Sequence, residues 1–204
     1  MWLVLLVAGL LFAVVGVGEY VLRSVRTGPG VTPQSVAVDT AEQAVRQRPG
    51  DLEARLALGY AYQEAGRYAE ALEEYDRVLA DDPGMLAARY NRGVVLLELG
   101  RGDEAEAGLA ALLEDEPTHV LAAKVLGERY VADERYTEAL DILAPALAAS
   151  PNYADLQYLA GYSAEQIGRD DAAVSYYRGA LTFAPDMTDA REGLSRLGAT
   201  EVDE

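Results

Sequence analysis

The chain has 204 residues, a formal net charge of −17 and no cysteine. Half of it is hydrophobic and a quarter is charged, which excludes a disordered tail, and the missing cysteines exclude disulfides and thiolate metal sites. Its single histidine excludes any site needing two, and an isoelectric point near 4.4 argues against nucleic acid as a partner, because phosphate binding needs a basic face.

Residues 1–22 carry one charge, Glu19, and Met1 to Gly18 is unbroken apolar sequence. As a helix rising ~1.5 Å per residue, about 20 such residues span a hydrocarbon core of about 30 Å. Trp2 and Tyr20 fall near its two ends, where interfacial aromatics belong. No Lys or Arg precedes the run, and Val14 to Gly18 makes a poor cleavage site. The expectation is therefore an uncleaved single-pass transmembrane helix over 1–24 rather than a removable signal. Arg23 and Arg26 follow it, so the positive-inside rule places the rest of the chain in the cytoplasm, the outer side being the alternative. Residues 25–33, with Gly28, Pro29, Gly30 and Pro33, read as a tether.

Beyond the tether one period dominates. Pro49, Pro83, Pro117, Pro151 and Pro185 recur every 34 residues, as do Gly59, Gly93, Gly127 and Gly161, and Ala71, Ala105, Ala139 and Ala173. Within 52–85, Leu52 to Ala65 has helical spacing with Leu58 and Tyr62 on one face. Gly66-Arg67 breaks that helix. A second follows over Tyr68 to Ala80, with Ala71, Tyr75 and Val78 on one face, and Asp81 to Gly84 ends it ahead of the next unit. Small residues at 59 and 71 let the two helices approach closely. Each unit is thus a short antiparallel helix pair, and the soluble part is all-α with units at 52–85, 86–119, 120–153 and 154–187. Residues 34–51 fall on the second-helix register through Ala37, Ala41, Ala44 and Pro49, so they supply half a unit. Residues 188–204 supply a first-helix cap, with Leu194 and Ser195 in the Leu-Gly register, and a tail. That makes ten helices. Pro145 lies inside the second helix of the third unit and is expected to bend it.

Leu58-Gly59, Tyr62, Tyr68, Ala71, Tyr75 and Pro83, with Leu126-Gly127, Tyr130, Tyr136, Ala139 and Pro151 two periods on in the same register, resemble the tetratricopeptide repeat (TPR) family. The resemblance covers residues 52–187. It departs where the family pattern has Trp, for which this chain has Arg55, Arg89, Ala123 and Gln157. The resemblance implies a right-handed α-solenoid whose first helices line a concave groove. It also implies that the second, fifth, ninth, twelfth and thirteenth residues of each unit face that groove. Carried onto this chain, these positions make Leu56, Tyr60, Tyr90, Val94, Leu97, Lys124, Glu128, Tyr158 and Tyr162 the candidate contacts. Glu53, Glu64, Glu98, Glu128, Asp155 and Glu165 form an acidic rim. Such a surface favours a protein or peptide segment that is apolar or aromatic and carries basic residues. The family's clamp for a C-terminal carboxylate is not expected, because Leu56, Tyr60, Leu121 and Val125 stand at four of its five positions and only Asn91 fits.

No constellation for chemistry accompanies this. His119 sits in a loop between units and reads as solvated; Glu73-Glu74 and Asp81-Asp82 read as helix surface; Gly100 to Asp103 reads as a turn. No enzyme activity, cofactor or metal is expected. The expected function is a membrane-anchored scaffold that binds a protein segment in its groove and aids assembly of a membrane or envelope complex. The alternative is a permanent structural subunit of such a complex.

Overall fold

The structure, a computed structural model, describes residues 32–201. Ten α-helices account for nearly all of them: α1 Pro33–Gln47, α2 Leu52–Glu64, α3 Tyr68–Asp81, α4 Leu86–Glu98, α5 Gly102–Asp115, α6 Val120–Ala132, α7 Tyr136–Ala149, α8 Ala154–Gln166, α9 Asp170–Phe183 and α10 Thr188–Arg196. The chain divides at Glu74/Tyr75 into two compact units.

The membrane expectation is corrected. Among the described residues no helix is long and apolar enough to cross a membrane, so a single-pass location with cytoplasmic repeats has no support. The segment 1–24 on which that expectation rested, tether residues 25–31 and the last three residues of the tail lie outside the described residues. Pro33, read as tether, is the first residue of α1. Proline is favoured there because its missing N–H has no intrahelical partner at that position anyway. Thr32 caps the helix: its Oγ1 accepts from the Ser35 N–H at 3.1 Å and its own N–H donates to Ser35 Oγ at 3.0 Å.

In the first unit α1 lies against α2, burying Val38, Ala54, Leu58, Ala61 and Tyr62. The Tyr62 hydroxyl donates to Glu42 at 3.0 Å and ties the two helices. Arg55 occupies the Trp position of the repeat pattern. It donates to the Pro49 carbonyl at 2.9 Å and pairs with the nearly buried Glu74 at 3.0 Å.

The second unit repeats one packing solution. The hairpins α4–α5, α6–α7 and α8–α9 pack through a glycine on the first helix and a large residue on the second. A Cβ on Gly93 would lie 2.7 Å from Leu109, one on Gly127 3.0 Å from Leu143, and one on Gly161 2.8 Å from Tyr177. These glycines are buried, and Leu109, Leu143 and Tyr177 are fully packed. The first helices also touch one another in sequence, α4 to α6, α6 to α8 and α8 to α10, which sets their outer sides on one face. Where Gln157 and Arg191 replace Trp, each donates to a proline carbonyl six residues earlier, Gln157 to Pro151 at 3.0 Å and Arg191 to Pro185. A polar side chain thus does the joining that an indole would do by packing.

Pro145 does sit inside α7, which nevertheless continues to Ala149. The proline has no N–H for the Asp141 carbonyl, so the helix loses one rung without ending. The Gly100-to-Asp103 stretch is only half a turn, since Gly102 and Asp103 already belong to α5.

Each first helix ends the same way. Gly66, Gly100, Glu134 and Gly168 hold φ of 71°, 72°, 58° and 72°, and the N–H of the following arginine reaches back to Tyr62, Leu96, Tyr130 and Ala164. Glutamate pays a steric cost in this left-handed conformation that glycine does not. Glu134→Gly is therefore expected to stabilise the protein by about 0.5–1 kcal/mol, and Gly168→Ala to destabilise it by about 1 kcal/mol. Thermal unfolding followed by circular dichroism measures both, and the two shifts should have opposite signs.

Candidate functional site

The contacts between successive first helices decide which side chains share a surface. In the second unit these are α4, α6, α8 and α10. Lys124 on α6 donates to Asp155 on α8 at 2.7 Å and lies 3.9 Å from Glu128. Tyr90 on α4 senses both Lys124 and Glu128. Burial pushes its phenol up, Lys124 pulls it down and Glu128 adds to the rise. On α8, Tyr158 and Tyr162 stack at 6.3 Å with their planes 28° apart, and Tyr136 meets Tyr162 edge-on at 5.9 Å. Tyr158 also lies 6.0 Å from the buried Tyr177. Burial pushes the Tyr158 phenol up, the Asp189 carboxylate on α10 adds to this, and Arg196 opposes it. The structure thus brings Tyr90, Lys124 and Glu128 together, and brings Tyr158 and Tyr162 together.

None of the nine candidate contacts is buried. Tyr90, Val94, Leu97, Lys124, Tyr158 and Tyr162 are half-buried and Glu128 is exposed. Val94 and Leu97 add apolar area on α4 without joining either cluster. In the first unit, Leu56 is half-buried on α2 and Tyr60 is among the most exposed large hydrophobic residues, at 53%.

The acidic rim needs revision at Glu165, at Asp155 and, through its 3.9 Å approach to Lys124, at Glu128. Glu165 is not a free rim charge. Arg196 holds it through two hydrogen bonds of 2.7 and 2.8 Å, and the Tyr177 hydroxyl donates to it at 2.5 Å. Arg196 first, then Tyr177, keeps its carboxyl below the ordinary value despite burial. Asp155 is engaged by Lys124. Glu53, Glu64 and Glu98 are exposed and make no ion pair among the described residues.

His119 has a job that the loop reading missed. It is the N-cap of α6, its Nδ1 accepts from the Ala122 N–H at 3.1 Å, and its ring sits 5.5 Å from that of Tyr90. The 34-residue register held the signal: Asp51 stands at the same repeat position and caps α2 by accepting from the Ala54 N–H at 3.1 Å. His119→Ala is expected to cost about 1 kcal/mol, and His119→Asn, which keeps an acceptor, much less. Chemical denaturation of the two variants side by side measures this. Tyr136, which the repeat pattern marks for its place in the second helix rather than for this face, and Arg196, which it does not mark, also bear on the site.

Among the described residues no group of three or more His, Asp or Glu side chains is placed to hold a metal ion. What the arrangement offers is flat aromatic area beside carboxylates, which suits recognition of a polypeptide.

Two family models match the chain, both described as tetratricopeptide repeat, one over residues 63–127 and the other over residues 35–85 and 124–188. Among solved structures, MamA AMB-1 is 26% identical, with 76% of this chain and 85% of that chain covered and a TM-score of 0.61. A MamA fragment beginning at residue 41, from Desulfovibrio magneticus RS-1, is 21% identical over 83% of this chain and 94% of that chain, with a TM-score of 0.63. YrrB, described as a TPR protein with an unusual peptide-binding site, is 21% identical over 79% of this chain and 84% of that chain, with a TM-score of 0.62. At 21% identity the last two likenesses concern the fold alone. No curated protein matches.

Proposed function

We propose that this chain, which belongs to the tetratricopeptide repeat family, binds an extended segment of a partner protein along its first helices and so helps assemble a multiprotein complex. Stacked helix hairpins are scaffolds for protein and peptide recognition, and their function lies in the surface they present. The observation that carries the proposal is the pair of aromatic clusters on the first-helix side: Tyr90 beside Lys124 and Glu128, and Tyr158 stacked on Tyr162. Tyrosine supplies rigid contact area at low entropic cost, and such anchors dominate binding energy. The peptide-binding description of YrrB supports the same reading by analogy of fold. The segment bound is apolar or aromatic with basic residues, since a chain of net charge −17 favours cationic partners and repels acidic ones. Val94 and Leu97 extend the apolar part of this surface, and Leu56 and Tyr60 are separate candidate contacts within the first unit.

The test is a library of short N-acetylated peptide amides presented to the full chain, with affinities measured by fluorescence polarisation. Bound peptides enriched in apolar, aromatic and basic residues support the proposal. Tyr90→Ala with Tyr158→Ala should weaken them about tenfold or more. Unchanged affinity in that variant, or a preference for acidic peptides, refutes it.

A further inference from the structure

The Tyr158–Tyr162 pair raises the question of which side chain of a bound segment it takes. The fold itself supplies a comparison. Arg67 lies over the Tyr62 ring at 4.3 Å while its guanidinium pairs with Glu70 at 2.9 Å. Arg135 lies over the Tyr130 ring at 4.2 Å while pairing with Glu138 at 2.7 Å and Glu106 at 2.6 Å. Twice, then, a tyrosine face and a carboxylate together hold one guanidinium. The physical reason is that the planar cation can stack on the ring with its face while its edge donates to the carboxylate, which an ammonium cannot do.

Tyr158 and Tyr162 have the first two parts of that arrangement and not the third. Their rings are half-buried and stacked, α10 packs against α8, and Asp189, exposed in the first turn of α10, adds to the rise of the Tyr158 phenol. Among the described residues no arginine of the chain lies over either ring. Arg196, the cation that acts on the Tyr158 phenol, is already committed to Glu165. Asp189 makes no ion pair among the described residues, and neither does its exposed neighbour Glu192. The local balance is therefore aromatic and negative.

We propose that Tyr158, Tyr162 and Asp189 form an arginine-specific subsite, in which the guanidinium of a partner segment stacks on the tyrosine pair and donates to the Asp189 carboxylate. This rests on the binding face proposed above and deepens it, since it names the side chain that the α8–α10 end of the face selects. Arginine is preferred over lysine there, and its uncharged isostere citrulline is rejected. Tyr158→Leu with Tyr162→Leu removes the rings but keeps apolar bulk against Tyr177, whereas Tyr158→Phe with Tyr162→Phe keeps the rings.

The experiment is a double-mutant cycle. Each arginine of the peptides captured in the library is replaced in turn by citrulline and by lysine. Affinities are measured on the full chain and on the leucine, phenylalanine and Asp189→Asn variants, each checked for an unchanged far-ultraviolet circular dichroism spectrum. On the parent chain one citrulline replacement should weaken binding about tenfold, and the lysine replacement at that position less. On the leucine variant the same replacement should make almost no difference, and the phenylalanine variant should behave like the parent. Asp189→Asn should remove part of the citrulline penalty. A citrulline penalty of equal size on parent and leucine variant overturns the subsite, as does a set of bound peptides without arginine. Either of those results leaves the wider binding face standing, whereas a library from which nothing binds overturns the face and the subsite together.

Discussion

Tyr177→Ala is expected to lower stability by about 3–5 kcal/mol, the usual range for removing a large, fully buried aromatic ring. Tyr177 has no exposed surface, and its ring is gripped from two sides. A Cβ on Gly161 of α8 would come within 2.8 Å of it and one on Gly193 of α10 within 2.4 Å. The ring also touches that of Tyr158 at 6.0 Å, so its loss should loosen the binding face as well as the core. Tyr177→Phe separates the two contributions of the residue. It keeps the ring and removes the hydroxyl that donates to Glu165, leaving Glu165 with Arg196 alone, and should cost about 1.5–3 kcal/mol. Urea unfolding of the three proteins orders them parent, phenylalanine, alanine. Equal stability of the alanine variant and the parent would contradict the packing described for α8, α9 and α10.

Gly161→Val is expected to cost about 3 kcal/mol, at the upper end for overpacking. The valine Cβ would meet the Tyr177 ring carbons at 2.8–3.2 Å, and the ring cannot retreat because Gly193 backs it. Relief comes only by parting α8 from α9, which would expose Ala160, Ala173 and Leu181. A double variant carrying Tyr177→Leu should recover part of the loss, because the smaller side chain makes room for the added methyls. The cycle of the two changes measures their coupling, and strict additivity would show that glycine and ring do not touch.

These two predictions also show what the sequence makes legible. The 34-residue spacing of Gly93, Gly127 and Gly161 is a packing signal, and each glycine does meet a large residue of the following helix. Period, helix breaks and helix pairing can all be read in one dimension, because each depends on neighbours within about one repeat. Compensation between residues is harder to see. The missing Trp is visible at positions 55 and 157, but not that Arg55 and Gln157 would tie back to proline carbonyls. Glu165 reads as a rim charge by its place in the repeat. Only Arg196, the last residue of α10 two helices on, converts it to a half-buried partner of Tyr177. His119 reads as a loop residue because histidine is an uncommon cap, although Asp51 two registers earlier is a common one. On the binding surface, the register places Tyr90, Lys124 and Glu128 on successive first helices, while the ring stacking of Tyr158 on Tyr162 depends on side-chain directions that spacing alone does not carry.

The claim at the centre of this account is that recognition happens along the first helices. Nuclear magnetic resonance titration of the isotopically labelled full chain with a captured arginine-containing peptide tests it most directly. The shifts should concentrate at Tyr90, Val94, Lys124, Glu128, Tyr158 and Tyr162 on α4, α6 and α8. Shifts confined to α5, α7 and α9, with those six residues unmoved, would contradict it.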